Sequence, residues 1–292
     1  MPSAIIVGPQ SMLGSRLKER LVELDWNITT AGRSPQCDIH IDLERGALDR
    51  IHIDIQADVL FHCAGSFGDD SISGSLLNEK VNALGSHIVA ELSQVAGCRK
   101  VLYAGSIFSS NESSSRERMN SYGASKARGE EILSWWAGRT GQNFTSVRLA
   151  QFYDERGSCV QHQPWFGRIV SYARKGLMLR LPPGENLRNF IHVRDAVDCL
   201  IAAVEKEVYG IVSITHPLSL SYKEIALQAY EVFGCGGAVQ TAPEKKAFQD
   251  IYIPDGDEAW RRLKLTPRSM RDGLFGIKNA GYAEKFEVFD VS

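Results

Sequence analysis

Three residues of types that move protons in enzymes lie near the middle of the chain: Ser106, Tyr122 and Lys126. Tyr122 and Lys126 are four residues apart, so they share one face if this segment is helical. A lysine ammonium beside a phenol lowers the phenol's pKa from about 10, and the tyrosine can then exchange a proton near neutral pH. Because Ser106 follows a predicted strand at residues 100–103, the spacing predicts a proton-transfer site.

A glycine turn near the N-terminus predicts a phosphate-binding site. Gly8 follows the apolar run 4–7, a predicted buried strand, and Gly14 opens a helix with a leucine stripe. Glycines at such a turn let the backbone approach a pyrophosphate, whose charge then lies at the positive helix N-terminus. The middle glycine of the usual dinucleotide turn is replaced by Ser11, whose Cβ narrows the approach and whose hydroxyl can donate to a phosphate. An ordinary tight turn is the alternative interpretation.

The segments after the next two predicted strands bear on the choice of cofactor. Strand 27–31 ends at Ala31, a position where NAD-binding proteins carry an acidic residue that bonds the adenosine ribose. Arg33 follows, and an arginine there accommodates the 2′-phosphate of NADP. Arg33 therefore favours NADP over NAD. Asp42, which ends strand 38–42, is placed to reach the adenine amino group, with a cap on its own loop as the alternative.

Strands and helices alternate along the first half of the chain. The predicted strands are residues 4–7, 27–31, 38–42, 58–63, 100–103 and 144–149, and the predicted helices are residues 13–24, 76–95 and 122–136. This alternation predicts an α/β fold with a doubly wound parallel sheet of the Rossmann type. A polar run at residues 109–115 is predicted to be a loop.

The second half is less regular and contains seven of the ten prolines. We expect a dinucleotide-binding domain at residues 1–150, with a segment near 190–205 returning to it. A smaller mixed α/β domain is expected at residues 151–292. One clear signal there is the capping box Ser221 to Glu224, which opens a predicted helix at residues 225–233.

Composition narrows the class of protein. Of 292 residues, 43% are hydrophobic and 23% charged, which excludes a disordered chain. The net charge of -2 gives no attraction for nucleic acid polymers or an anionic membrane surface. No apolar run approaches the ~20 residues that span a bilayer, and the N-terminus lacks a signal peptide's basic segment. Six scattered cysteines indicate reduced thiols without a metal site, so we expect a cytoplasmic protein.

Taken together, the motifs resemble those of the extended short-chain dehydrogenase/reductases (SDR), of the NAD(P)-dependent nucleotide-sugar epimerase/dehydratase/4-ketoreductase type. The likeness covers nearly the whole chain. It is carried by residues 8–14, 61–65, 81–85, 106, 121–130, 148–153, 188–195 and 265–274. The chain departs from the family pattern at Ser11 and at Gln151, where the family usually has asparagine.

The resemblance implies roles for particular residues. Tyr122 would exchange a proton with the C4 oxygen of a sugar, Ser106 would hold that oxygen, and Lys126 would bind the nicotinamide ribose. Cofactor contacts would come from Gly8, Ser11, Met12, Leu13, Gly14, Arg33, Asp42, Cys63, Ala64, Gly65 and Asn82. Arg188 and Gln151 would bind the substrate, Arg188 through its diphosphate. The family also implies a homodimer through the helices at residues 76–95 and 122–136, whereas His62 and His192 are expected to be structural.

Three activities share this apparatus. Dehydratases carry an Asp-Glu pair after the catalytic serine or threonine, and Ile107 and Phe108 stand there instead, which disfavours dehydration. Arg33 and the short C-terminal part favour an NADP-dependent reductase of a C4 carbonyl on a nucleotide sugar. The alternative is a C4 epimerase with tightly bound NAD. A non-catalytic NADP-sensing or scaffold protein is a third possibility, against which the presence of Ser106, Tyr122 and Lys126 argues.

Overall fold

The computed structural model describes residues 1–48, 55–110, 119–185, 187–248, 251 and 253–286. Its strands are β1 (Ser3–Val7), β2 (Asn27–Gly32), β3 (Ile39–Asp42), β4 (Ala47–Leu48), β5 (Val59–His62), β6 (Lys100–Ser106), β7 (Asn143–Leu149), β8 (Gln151–Tyr153), β9 (Met178–Leu181), β10 (Leu187–Arg188), β11 (Phe190–His192), β12 (Gly210–Ile214), β13 (Leu220–Ser221) and β14 (Ala238–Thr241). The predicted loop at 109–115 lies mostly outside the described residues.

The α-helices begin and end at recognisable signals. They are α1 (Met12–Glu23), α2 (Ile72–Asn78), α3 (Gly85–Val95), α4 (Ser121–Thr140), α5 (Pro164–Lys175), α6 (Val193–Glu205), α7 (Tyr222–Phe233), α8 (Asp257–Leu263) and α9 (Met270–Asn279). The longest, α4, is capped by Asn120, whose side chain accepts a bond from the Gly123 N–H, and it ends at Gly141 with φ +71°. No helix in the described ranges is both long and apolar enough to cross a membrane.

Within the described residues, one sheet of eight strands has the order β12-β7-β6-β5-β1-β2-β3-β4. Every neighbouring pair is parallel except β3 and β4. The predicted doubly wound fold is confirmed, with one difference at the edge. Only residues 43–46 connect β3 to β4, and so short a connection, with Gly46 at φ +66°, permits only an antiparallel pair.

The strand order reverses between β1 and β5, so the segments that follow these two strands diverge. Ligands of open α/β sheets bind in the crevice at this point, outside the carboxyl ends of the strands. Beneath it, Ile5, Leu60 and Val101 are almost completely buried and join the core of the sheet to α3 and α4. The crevice therefore lies on a rigid part of the molecule.

The helix predicted at residues 76–95 is longer and is not uniformly α-helical. It starts at Ile72, because the Ser71 hydroxyl caps α2 by accepting a bond from the Gly74 N–H. Between α2 and α3 lies a π-helical segment, Glu79–Leu84. Such wide turns are rare and are often found at functional sites. This one carries Asn82.

The chain divides into two compact units, Met1–Leu149 with Val197–Ile214, and Ala150–Ala196 with Thr215–Ser292. Two-stranded sheets recur in the second unit, with β8 beside β11, β9 beside β14 and β10 beside β13. The capping box predicted at Ser221 and Glu224 is confirmed at the start of α7. The segment after α7 contains β14.

Candidate active site

The turn after β1 can only be built with glycine at two positions. Gly8 has φ +81°, and a Cβ on it would lie 2.7 Å from the Cα of Ala64. Its N–H donates to the Ala31 carbonyl over 2.9 Å. A Cβ on Gly14 would overlap the Gly8 carbonyl oxygen. The turn is therefore held tightly between β2 and the segment after β5.

Ser11 caps α1 from inside this turn. Its hydroxyl lies 2.9 Å from the Gly8 carbonyl oxygen and 3.1 Å from that of Cys63, and it accepts a bond from the Gly14 N–H at 3.0 Å. The hydroxyl that was expected to be available for a phosphate is thus used within the protein. Because the Ser11 hydroxyl faces these two carbonyl groups, the side chain does not fill the space in front of the turn where a phosphate would bind.

The start of α1 fits a bound pyrophosphate. Leu13 is buried in the core at 4% exposure, so a ligand can meet only its backbone, and Met12 is half-buried. The first N–H groups of a helix have no partner within the helix and carry its positive dipole end. Together with the side-chain-free turn, this makes an anion site of the kind that a dinucleotide needs.

The segment after β5 is fixed by Asn82. The amide oxygen of Asn82 accepts a bond from the Ser66 N–H at 2.8 Å, and its nitrogen donates to the Ser66 carbonyl and the Ser125 hydroxyl, each at 3.0 Å. A Cβ on Gly65 would lie 3.3 Å from the Asn82 amide oxygen and 3.8 Å from the Lys126 Nζ. The backbone of this segment therefore lines the space beside Lys126.

Cys63, just before Gly65, has its side chain buried, and burial raises the pKa of its thiol to about 12. It is a small packed residue and not a nucleophile.

The two residues expected at the adenosine end are engaged elsewhere. Asp42 accepts bonds from the N–H groups of Glu44 and Arg45 at 3.0 and 3.2 Å, so it caps its own loop, as the alternative interpretation had it. Arg33 is 70% exposed, and its guanidinium lies 3.7 Å from the Glu44 carboxylate. Neither side chain is fixed toward a ligand.

Ser106 and Tyr122 are brought together by close packing at the start of α4. Ser106 ends β6 and is buried. A Cβ on Gly123 would overlap the Phe108 carbonyl oxygen, so α4 begins directly against the segment that follows Ser106. The Ser106 side chain lies near enough to the Tyr122 hydroxyl to lower the pKa of the phenol.

The phenol of Tyr122 is less acidic than the sequence suggested. Loss of water around it raises its pKa to about 12, and the nearby Ser106 side chain only partly opposes this. Two aromatic side chains shield the Tyr122 ring from water. The Phe67 ring stacks on the Tyr122 ring with centroids 4.6 Å apart, and Phe108 stands edge-on at 6.5 Å. The prediction that Lys126 lowers this pKa is therefore wrong for the protein alone.

Lys126 lies one turn further along α4 and is 3% exposed. Its Nζ is 4.1 Å from the centre of the Tyr103 ring, a favourable position for a cation. Burial lowers the pKa of Lys126 to about 7, against the opposing effects of Cys63 and Glu130. The ammonium is therefore only partly charged at neutral pH.

A buried carboxylate was also missed. Glu130 is 4% exposed, and its carboxylate lies 2.7 and 3.1 Å from two nitrogens of Arg148. The sequence held a signal for this pair, because Arg148 stands in a strand of a parallel sheet, where charges are rarely tolerated without a partner.

The predicted substrate contacts lie in the second unit. Arg188 is buried, its guanidinium lies 5.2 Å from the Tyr222 ring centre and 5.6 Å from that of Phe248, and it donates to the Leu187 carbonyl at 2.8 Å. Gln151 donates to the side-chain oxygen of Gln163 at 2.9 Å. An arginine fixed on aromatic faces is a suitable partner for a diphosphate.

The two histidines are packed. Burial lowers the pKa of His62 to about 3, so it is neutral, and its ring lies 5.3 Å from that of Tyr103. His192 has its Nε2 3.2 Å from the Glu155 carboxylate, and its Nδ1 accepts a bond from the Arg194 N–H. Nowhere in the described part of the chain do three His, Cys, Asp or Glu side chains meet as metal ligands.

Comparison with known proteins agrees with this geometry. The model of the NAD dependent epimerase/dehydratase family matches residues 4–214. The chain belongs to this family. The membership inferred from the motifs is thus confirmed, and the protein is an SDR-type enzyme. No curated protein sequence matches the chain.

Solved structures of similar fold include the enzyme WbmF and several epimerases. WbmF of Bordetella bronchiseptica, solved with NAD+ and UDP, is 21% identical with a TM-score of 0.78, over 98% of this chain and 95% of that chain. The UDP-glucose 4-epimerase of Thermotoga maritima, solved with UDP-glucose, is 19% identical with a TM-score of 0.73, over 97% and 99%. The UDP-N-acetylglucosamine 4-epimerase of Bacillus cereus is 17% identical with a TM-score of 0.73, over 95% and 98%.

Proposed function

We propose that this enzyme interconverts the C4 epimers of a nucleotide-activated sugar, with an NAD that stays bound through both half-reactions. The observation that carries the proposal is the cluster formed by Ser106 at the end of β6, Tyr122 at the start of α4 and the buried Lys126 one helical turn further along α4. When bound, NAD supplies the acceptor and donor of the C4 hydride.

The protein's own residues handle the C4 oxygen and its proton. As a phenolate, Tyr122 takes the proton from the C4 hydroxyl while the ketone forms, and as a phenol it returns that proton when the ketone is reduced from the other face. The positive nicotinamide ring of bound NAD would favour the phenolate. Ser106 holds the same oxygen, and Lys126 binds the nicotinamide ribose. The backbone of the turn at Gly8 and Gly14 and the start of α1 hold the pyrophosphate, and the segment at Ala64 and Gly65 lines the nicotinamide end.

NAD is proposed here rather than NADP. Arg33 was the argument for NADP, but its guanidinium has Glu44 as a partner 3.7 Å away, which neutralises part of its attraction for a 2′-phosphate. WbmF, a protein of similar fold, was solved with NAD+ and UDP and separately with NADH. A preference for NADP finds no support in these structures.

The length of the chain no longer favours a reductase. The Thermotoga maritima 4-epimerase is aligned over 99% of its own length and 97% of this chain, so an epimerase fits in the same number of residues. Denaturing the purified enzyme and assaying the supernatant separates the two activities. About one NAD released per chain is expected of the epimerase, whereas a protein purified without cofactor would favour the 4-ketoreductase.

A UDP-sugar is the proposed substrate, with Arg188 as the residue that binds its diphosphate and Gln151 as a second substrate-binding residue. UDP-glucose and UDP-N-acetylglucosamine are the first compounds to assay, by chromatographic separation of the C4 epimers. Arg188→Met is expected to raise KM by at least about tenfold, because a charge-assisted contact to a phosphate is lost. Turnover of the same sugars without their nucleotides would contradict this assignment.

We also propose a homodimer through α2, α3 and α4. Large apolar side chains are exposed along these helices, among them Leu76 at 53%, Leu84 at 61% and Trp135 at 54%. Large exposed apolar patches mark protein interfaces, and we propose that these side chains form one such patch. Light scattering is expected to give the mass of a dimer, and Leu84→Glu with Trp135→Glu that of a monomer; a wild-type monomer would contradict the proposal.

A further inference from the structure

A buried ion pair stands behind the catalytic lysine, on the side away from Tyr122. Glu130 on α4 is bonded to Arg148 on β7 through both of its carboxylate oxygens, at 2.7 and 3.1 Å, and the Ser146 hydroxyl donates to it at 2.5 Å. Burying two charges costs more in lost hydration than their attraction commonly returns. The pair is therefore weak evidence for stability, and its position points to another role.

The geometry connects this pair to Lys126. Residues four apart on a helix lie on the same face, so Glu130 stands directly beyond Lys126. Tyr103 fixes the lysine from below, with its ring 4.1 Å from Nζ and its hydroxyl donating to the Lys126 carbonyl at 3.3 Å. A Cβ on Gly129 would lie 2.9 Å from the Tyr103 hydroxyl oxygen, which shows how closely α4 approaches β6 here.

We propose that Glu130 is a positioning residue that keeps Lys126 charged, and that Arg148 and Ser146 hold its carboxylate in place for this purpose. The inference rests on the proposed function, because it matters only if Lys126 binds the nicotinamide ribose and acts on Tyr122. Without a nearby anion, a lysine at this depth would lose its proton well below neutral pH.

The other titratable groups around Lys126 are neutral in the working range. Burial lowers the pKa of His62 on β5 to about 3, and raises the pKa of Cys63 to about 12 and that of Tyr122 to about 12. The pKa of Tyr103 on β6 is raised well above its ordinary value for the same reason. Burial brings the pKa of Lys126 itself to about 7. Among these groups, Lys126 alone changes charge between pH 6 and 9.

The test measures the protonation of Lys126 directly. Protein labelled with 13C at the lysine ε-carbon is titrated by NMR from pH 5.5 to 9, and the Lys126 signal is assigned by its loss in Lys126→Met. We expect a midpoint near 7 in the wild type. In Glu130→Gln the midpoint is expected to fall by about one pH unit, the size of effect of a neighbouring charge.

Glu131→Gln is the matched control, since it removes the same charge from the next residue of α4, which is exposed. Its midpoint is expected to stay within about 0.2 pH units of the wild type, because solvent screens an exposed charge. Equal midpoints in the wild type and Glu130→Gln would overturn the proposal, as would a wild-type signal that does not titrate below pH 9.

Glu130→Gln leaves Arg148 buried without its partner and can fail to fold. Glu130→Gln with Arg148→Met removes both charges and keeps the test available. The anion four residues from Lys126 is absent from the double variant as well, so its midpoint is also expected to lie below that of the wild type. A double variant with the wild-type midpoint would overturn the proposal.

Binding of NADH, followed by its fluorescence, separates this inference from the proposed function. Between pH 6 and 8 the wild-type affinity is expected to fall by up to about tenfold, because one pH unit above its pKa only about a tenth of a lysine is charged. In Glu130→Gln the same fall is expected about one pH unit lower. A wild type that binds no NADH at any pH would count against the proposed function, while the titration of Lys126 would still test Glu130.

Discussion

The two ends of the proposed cofactor site are built differently, although both lie along the same edge of the sheet. At the nicotinamide end, Lys126 is 3% exposed and is enclosed by β5, β6 and α4. At the adenosine end, Arg33 is 70% exposed and reaches Glu44 over 3.7 Å. Buried charges are strongly coupled to their surroundings, whereas exposed pairs contribute about 0–1 kcal/mol. The type of residue therefore determines the chemistry at the nicotinamide end, whereas at the adenosine end it determines little about which ligand is bound.

Tyr122→Phe is the strongest challenge to the nicotinamide end. Turnover of a UDP-sugar is expected to fall by about 10³-fold, since a positioned proton donor or acceptor contributes 10²- to 10⁴-fold. The affinity for NADH, measured by fluorescence, is expected to stay within about twofold because the ring and its stacking on Phe67 remain. Activity close to that of the wild type would rule out the proposed role of Tyr122.

Lys126→Met tests how strongly burial acts at the same end. The pKa of Lys126 is about 7 in the folded protein and 10.5 ordinarily, so above pH 7 the unfolded chain binds more protons than the folded one. At pH 7 and below, the folded protein therefore bears the full cost of burying the Lys126 ammonium. As the pH rises above about 7, this cost falls and the free energy of unfolding increases.

Removing the amine is expected to stabilise the protein by about 3 kcal/mol at pH 6 to 7, with the difference shrinking toward pH 8.5. Urea unfolding of both proteins across this range measures it. The comparison stops at pH 8.5 because thiols of the unfolded chain titrate above it. A variant less stable than the wild type at pH 6 would show that the lysine is not penalised by burial.

Gly8→Ala probes the turn that joins the two ends. The φ of +81° and the approach to Ala64 predict a loss of about 2 kcal/mol or more in the free energy of unfolding. Gly138→Ala is the control, because Gly138 lies in α4 and no atom comes within 4 Å of a Cβ added there. We expect this variant to gain about 0.5–1 kcal/mol in the free energy of unfolding. Urea unfolding of the two variants at pH 7 is the measurement; similar shifts in both would contradict the tight turn.

The difference between the two ends also explains what the sequence could predict. Periodic apolar residues and the glycine turn specify local structure. The alternation of strands and helices along the chain, and from it the Rossmann fold, could therefore be predicted. Ser106 ends β6 and Tyr122 lies in the first turn of α4, so the sequence already indicated that these two residues are close. The pKa of Tyr122 could not be predicted, since it depends on Phe67, which is 55 positions away in the chain. Likewise, the inward direction of the Ser11 hydroxyl depends on the Cys63 carbonyl, and the π-helical segment has no compositional signal.

Arg33→Ala is expected to have the smallest effect and tests the exposed end. Its ion pair with Glu44 is solvated, so the free energy of unfolding is expected to change by less than about 0.5 kcal/mol. Affinity for NADH is expected to change less than about twofold, because NADH has no 2′-phosphate for an exposed arginine to bind. Fluorescence titrations with NADH and NADPH, on the wild type and the variant, measure both preferences. A wild type that prefers NADPH, and loses the preference in Arg33→Ala, would show that an exposed arginine does select the cofactor here.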